Sequence, residues 1–393
     1  MNMLRPEDEL LICIARRYVE KGVVDRLRRL TQQNIDWEYV LKAATLHGLS
    51  PLLATHLVAV VPDRIPEPIL QQLKAGQLEG MKGSVYLVHE LMRVLKLLDT
   101  KNIPVLVFKG PILAQMIYGD VGLRQAGDLD LLIAKRDFSR VKDLLQSNGY
   151  LMEPQLSDAQ QRAHLDFHCE IQFCNADQFS VVDLHWGLTP RNFPFVLSFE
   201  DLWSRRQTIL VAGRQVDTFS TEDLLLYLCV HGAKHYWIRL EWIAAVAELI
   251  THHQIADWTK LFRLAETTNS QKMLTLGLIL ARDLFELELP AQAKTLLSES
   301  EVLRKTAQRL EKHLFEEAGT SPSQVEAFRW NFKFMDRRRD AFESFVRSVF
   351  MPTISDWQRV QLPDAVYPLY YGTRPLALLS KYGKRLTNGN RDK

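Results

Sequence analysis

The chain runs to 393 residues and 45.4 kDa, long enough for two or three domains and a sizeable core. Hydrophobic residues at 47% and charged residues at 24% exclude a disordered chain, and a formal net charge of +2 gives no ground for a nucleic-acid or membrane partner. No stretch holds the ~18 uninterrupted apolar residues of a membrane span, and Arg5, Glu7, Asp8 and Glu9 interrupt any apolar leader, so a cytoplasmic location is expected. The four cysteines, Cys13, Cys169, Cys174 and Cys229, show no CxxC spacing and are expected as buried free thiols.

The first hundred residues read as helices. Pro6 followed by Glu7, Asp8 and Glu9 suits a helix N-terminus, where a missing N–H is harmless and acids meet the dipole. Leu10, Leu11, Cys13, Ile14 and Tyr18 continue that helix with a period near 3.6. In "DWEYVLKAATLHG" Asp36 stands as N-cap and Gly48 as the C-terminal stop. A longer helix is predicted over 84–100, with Val85, Val88, Leu91, Leu95 and Leu98 on one side.

The period changes at Pro104. "PVLVFKG" is a short apolar run closed by glycine and predicts a strand. A short helix (111–118), a strand (128–134) and a helix (137–147) follow, then strands in "DFHCEIQF" (166–173) and "SVVDLHW" (180–186). That is a β-α-β-α-β-β unit. Beyond it come the helix "SFEDLWSRR", a hairpin over 207–218 turning at Ala212-Gly213, and a helical remainder opened by Ser220 or Thr221 as cap.

In "GDLDLLI" (127–133), Asp128 and Asp130 open a segment whose Leu131, Leu132 and Ile133 require burial. Carboxylates there cost stability unless something positive meets them. Alternation along a strand puts both on one face, ~7 Å apart. Asp183 joins them if "SVVDLHW" neighbours that strand; Glu170 is a rival third acid, and His185 shares the face of Asp183. Three converging carboxylates make an oxygen site for Mg²⁺ or a pair of Mg²⁺ ions, with Mn²⁺ as the substitute. Removing a crowded acid, as in Asp130→Asn, is expected to leave the fold intact and raise the melting temperature of the metal-free protein. Gly110 ends a strand before a helix N-terminus that suits phosphate, and Lys109 and Arg124 place positive charge nearby; the plainer readings are a salt bridge from Lys109 to one of the aspartates and Arg124 as a loop anchor.

Other candidates have plainer readings. His231 and His235 lie four apart on a helix without an HExxH pattern and are expected as core histidines; the pair His164 and His168 has less to support a metal. Tyr236, Trp237 and Trp242 read as helix packing. Arg337, Arg338 and Arg339 read as a solvated face, with RNA contact as the alternative.

"FKG" followed by "LAQMIYGDVGLRQAGDLDLLI" resembles an uncharacterised bacterial nucleotidyltransferase family of the DNA polymerase β-type superfamily. "LHGLSPLL", "STEDLLLYLCVHGAKHYWIRLEWI", "MPTISDWQRVQLP" and "LYYGTRPLALLSKYG" look like that family's flanking segments, so the resemblance spans most of the chain. It implies an α/β nucleotidyltransferase core with a mixed sheet (101–220), a helical N-terminal region (1–100), a helical domain (221–350) and a C-terminal extension (351–393). Asp128 and Asp130 match the metal-binding pair, Asp183 the third carboxylate and Gly110 the glycine of the nucleotide-binding turn. The implied activity is Mg²⁺-dependent transfer of a nucleoside monophosphate from an NTP to an acceptor hydroxyl with release of pyrophosphate. The acceptor stays open among a small molecule, a protein and an RNA end. The wider superfamily usually has Gly-Ser at the turn, where this chain has Lys109-Gly110-Pro111, seventeen residues before the acid pair. Ala245 also stands where the family commonly has aspartate. Both departures motivate the alternative of a catalytically inactive nucleotide- or partner-binding protein on the same fold.

Overall fold

The structure, a computed structural model, describes residues 4–175, 181–253, 255–316, 330, 332–376 and 378. At its centre is a five-stranded mixed sheet in the order β1-β2-β5-β4-β3. The strands are β1 (Val105–Val107), β2 (Asp128–Ile133), β3 (Tyr150–Glu153), β4 (Glu170–Asn175) and β5 (Val181–His185). β2 and β5 run parallel, and the other neighbours antiparallel. A separate hairpin, β6 (Gln207–Val211) and β7 (Arg214–Thr218), turns at Ala212-Gly213, whose φ values of 49° and 81° suit the twist of a two-residue turn.

Capping sets where several helices start. Asp36 accepts from the Tyr39 N–H, Ser198 from that of Asp201 and Ser220 from that of Asp223. Ser157 and Gln160 form a reciprocal capping box on the helix Asp158–Phe167. The sequence reading differs from the structure at several places, and strand β3 is absent from it. The helix expected at 84–100 begins at Glu67 and is 34 residues long; Gly76, Gly80 and Gly83 interrupt the apolar pattern of its first half. "DFHCEIQF" divides between the end of the helix Asp158–Phe167 and the start of β4. The first helix, Pro6–Ile14, stops short of Tyr18, which is exposed.

Leu129, Leu131 and Ile133 of β2, Val182 and Leu184 of β5, and Ile171 and Phe173 of β4 are buried on one face of the sheet. They belong to the main hydrophobic cluster, which also takes in Leu10 at the N-terminal end and Leu278 and Leu310 in the C-terminal helices. Sheet and flanking helices therefore share one core. The helices Thr221–Lys234, Leu240–His252, Gln271–Phe285 and Glu301–Glu316 pack on one another, and Leu240–His252 also meets the helix Gly110–Tyr118. A smaller cluster of Ala163, Trp357 and Tyr370 fastens the segment after residue 350 to the helix Asp158–Phe167. No described helix is long and apolar enough to cross a membrane.

Candidate active site

The alternation that buries Leu129 and Leu131 turns Asp128 and Asp130 to the opposite face of β2. On the parallel partner β5, Asp183 stands directly opposite Asp130. In the antiparallel β4–β5 pair, Glu170 stands opposite His185 and Gln172 opposite Asp183. One sheet face thus gathers Asp128, Asp130, Asp183, His185 and Glu170.

Asp130 is buried but well compensated. Lys109 Nζ donates to its Oδ1 at 2.8 Å, and His185 Nε2 lies 3.1 Å from the same oxygen. Burial alone would raise the Asp130 carboxyl; the Lys109 ammonium and the His185 ring outweigh it and hold the group well below the usual carboxylate range. Burial likewise works against the charge on Lys109, while Asp130 and Tyr227 restore it and raise the ammonium well above its ordinary value. The Lys109 Nζ also lies 5.4 Å and 5.8 Å from the ring centroids of Phe108 and Tyr227.

Asp183 has no such compensation. Its Oδ1 is buried with no hydrogen-bond partner among the described residues. Burial, then Asp130 and Asp128, push its carboxyl up to about 6. Burial and Asp130 also raise Asp128 at the strand mouth. An orphaned carboxylate oxygen beside a second carboxylate is an arrangement that a hard divalent cation relieves. Asp130, Asp183 and His185 offer ligand atoms within 4.8 Å of one another, so the residues present fit such an ion.

Gly110 closes the site from below. Its φ is +55°, and a Cβ there would lie 2.8 Å from the backbone oxygen of Asp128. Only glycine meets both conditions without strain. The helix Gly110–Tyr118 that follows has no side-chain cap, which leaves its first-turn N–H groups available beside the acids. Arg124 is held by Glu241, Nε to Oε2 at 3.6 Å, and stays near enough to lower the Asp128 carboxyl against its burial.

The structure therefore brings Lys109, Gly110, Asp128, Asp130 and Asp183 together, with Arg124 anchored at the rim. His185, which the sequence placed on the face of Asp183, joins them at Asp130, and Tyr227 is the partner that sequence reasoning left out. His185 carried a signal, its position two residues after Asp183; Tyr227, inside the apolar run "LLLYLCV", carried none. The half-buried His231 and His235 pack with Tyr227 and Trp242, and burial lowers both. Ala245 and Trp237 are buried in the core, and Arg337, Arg338 and Arg339 face solvent, with Arg339 on Glu343. All four cysteines are free, and Cys174 alone among them is only partly buried.

No curated protein sequence matches the chain. The solution structure of the antibiotic-resistance factor ANT(2'')-Ia is 15% identical, covers 48% of this chain and 94% of its own, and aligns with a TM-score of 0.35. The crystal structure of ANT(2'')-Ia in complex with adenylyl-2''-tobramycin is 16% identical, with coverages of 47% and 98% and a TM-score of 0.34. Likeness at that level carries no argument about this site. A family described as uncharacterised nucleotidyltransferase matches residues 33–286, a span that includes the whole sheet, the Lys109-Gly110 turn and the carboxylates. The chain belongs to this family of uncharacterised nucleotidyltransferases.

Proposed function

We propose that the protein transfers a nucleoside monophosphate from an NTP to an acceptor hydroxyl and releases pyrophosphate. Residues 101–220 form the catalytic core in this reading, framed by 1–100, 221–350 and the extension 351–393. The observation that carries it is the facing pair Asp130 and Asp183, with Asp128 on the same face and Asp183 Oδ1 lacking any hydrogen-bond donor among the described residues.

Asp128, Asp130 and Asp183 would hold Mg²⁺, or Mn²⁺ in its place. The bound ion supplies Lewis-acid polarisation and neutralises charge on the phosphates. The uncapped helix N-terminus at Gly110 receives a phosphate through its N–H groups, which replaces the missing serine contact. Lys109 holds Asp130 in place and, being partly open to solvent, adds positive charge beside the nucleotide. Arg124 adds a second positive charge from the rim. The acceptor oxygen attacks the α-phosphorus, the bond to pyrophosphate breaks, and the hydroxyl proton leaves with help from Asp183.

The test is incubation with each NTP labelled at the α-phosphate, with Mg²⁺ or Mn²⁺, with and without cell lysate as a source of acceptor. Labelled product from the wild type, absent from Asp128→Asn/Asp130→Asn, is the expected result. Its sensitivity to protease or RNase then names the acceptor class. NTP binding without product under every condition would favour the inactive nucleotide-binding alternative. Neither binding nor product would remove both.

A further inference from the structure

The sheet face that carries Asp130 holds a second donor set on the other ring nitrogen of His185. Its Nε2 faces Asp130, while its Nδ1 faces Glu170, the neighbour of Cys169. We propose that Cys169, Glu170 and His185 bind a borderline divalent cation, Zn²⁺ being the expected ion, at a site distinct from the carboxylate pair.

Geometry carries the proposal first. The Cys169 sulfur, a Glu170 carboxylate oxygen and a His185 nitrogen lie within 4.8 Å of one another. Glu170 Oε2 is 3.1 Å from His185 Nδ1 and 3.8 Å from Cys169 Sγ. Tetrahedral zinc with ordinary bond lengths places its N–O and S–O ligand pairs about 3.3 Å and 3.6 Å apart. Glu170 is thus already spaced as a ligand to both neighbours, and the Cys169 sulfur and the His185 nitrogen lie within 4.8 Å of each other.

The second observation is independent. His185 is only 1% exposed, and its Nδ1 has no hydrogen-bond partner among the described residues, because Glu170 lies near it but out of line for a hydrogen bond. A buried ring nitrogen left unsatisfied has a cost that an ion would remove. The donors are also of a different kind from the carboxylate set: thiolate and imidazole favour zinc over magnesium.

Hydrogen bonds tie down the backbone around the cysteine. Cys169 O accepts from the N–H groups of Trp186 and Gly187 at 2.8 Å and 3.2 Å. The Glu170 carbonyl accepts from His164 Nε2 at 2.8 Å. The Glu170 side chain is 44% exposed, which gives the ion a way in and leaves its fourth position to water. An ion on Nδ1 places the ring proton on Nε2, the atom that faces Asp130. Binding at this site does not depend on the proposed transferase reaction, whereas the coupling to Asp130 does.

The experiment uses the full chain, stripped with EDTA and titrated with Co²⁺ in excess Mg²⁺, without nucleotide. One Co²⁺ should bind with a thiolate-to-cobalt charge-transfer band, and Zn²⁺ should displace it. Cys169→Ser should abolish the band and weaken Zn²⁺ binding roughly tenfold or more. Glu170→Gln should weaken binding but keep the band, and Asp183→Asn should keep both. Circular dichroism checks that each variant is folded, and Glu170→Gln decides if Cys169→Ser does not fold. A folded wild type without the band, a band that survives Cys169→Ser, unchanged affinity in Glu170→Gln, or binding lost in Asp183→Asn would overturn the proposal.

Discussion

Asp130 lies between the Lys109 ammonium and the His185 ring, whereas Asp183 Oδ1, on the neighbouring strand, has no donor among the described residues. Their substitutions should therefore act in opposite directions. In the fold Asp183 keeps its proton up to about pH 6, against an ordinary value of 3.8, so the metal-free protein loses stability as pH rises through that window. Asp183→Asn removes that loss and should stabilise the metal-free protein by about 2 kcal/mol at neutral pH. Melting curves in EDTA should show the gain at neutral pH and none below pH 4. For Asp130 the structure reverses the sign expected from the sequence, because removing this carboxylate leaves the half-buried Lys109 ammonium without its counter-charge. Asp130→Asn should cost about 3 kcal/mol, and adding Lys109→Met should recover most of it. Urea unfolding of the single and double variants checks this; an undiminished midpoint in Asp130→Asn would show that the pair contributes nothing. The acids themselves were legible, since carboxylates alternating with leucines in a strand demand a partner. That Lys109 could pair with one of them was legible as well; that Asp130 is the one, with His185 on the same oxygen, was not, because both partners approach from other elements.

Two glycines in helices show how an element's surroundings set the outcome of one substitution. Gly110 opens its helix at φ +55° against the Asp128 carbonyl, so Gly110→Ala should cost about 2 kcal/mol and weaken NTP binding. Gly80 sits in the long helix Glu67–Thr100, and nothing lies within 4 Å of where its Cβ would be. Gly80→Ala should therefore stabilise the protein by about 0.5–1 kcal/mol, with NTP binding unchanged. Paired thermal melts and nucleotide titrations read both. Caps and the Ala212-Gly213 turn were legible because they depend on neighbours in sequence. β3 was not: it has only four residues, and its exposed Leu151 alternates against buried Tyr150 and Met152. Its place at the sheet edge comes from antiparallel pairing with β4, which no local pattern records.

The helical regions before and after the sheet are joined through His47. Its Nδ1 accepts from the Leu240 N–H at 3.3 Å, and its carbonyl accepts from the Glu241 N–H at 3.2 Å. Glu241 in turn holds Arg124 from the loop that leads to Asp128, so this junction borders the candidate site. Burial, with the nearby Arg239 charge, lowers His47 from 6.5 to about 4, and only the neutral ring can accept at Nδ1. Stability from this group is present above pH 6.5 and is lost as pH falls toward 4, by about 2 kcal/mol in all. His47→Phe should lower stability at neutral pH and flatten its decline between pH 6.5 and 4, measured by urea unfolding across that range. At this scale the division between sequence and structure is clear. The sequence by itself determined the α/β core between helical regions, the acidic strand mouth and the glycine turn, because periodicity, capping and backbone freedom are local properties. Only the tertiary structure decided that β5 lies parallel beside β2 and sets Asp183 opposite Asp130, with His185 between Asp130 and Glu170. Parallel strands need a long crossover, and their pairing and register are chosen by the burial of side chains far apart in the chain.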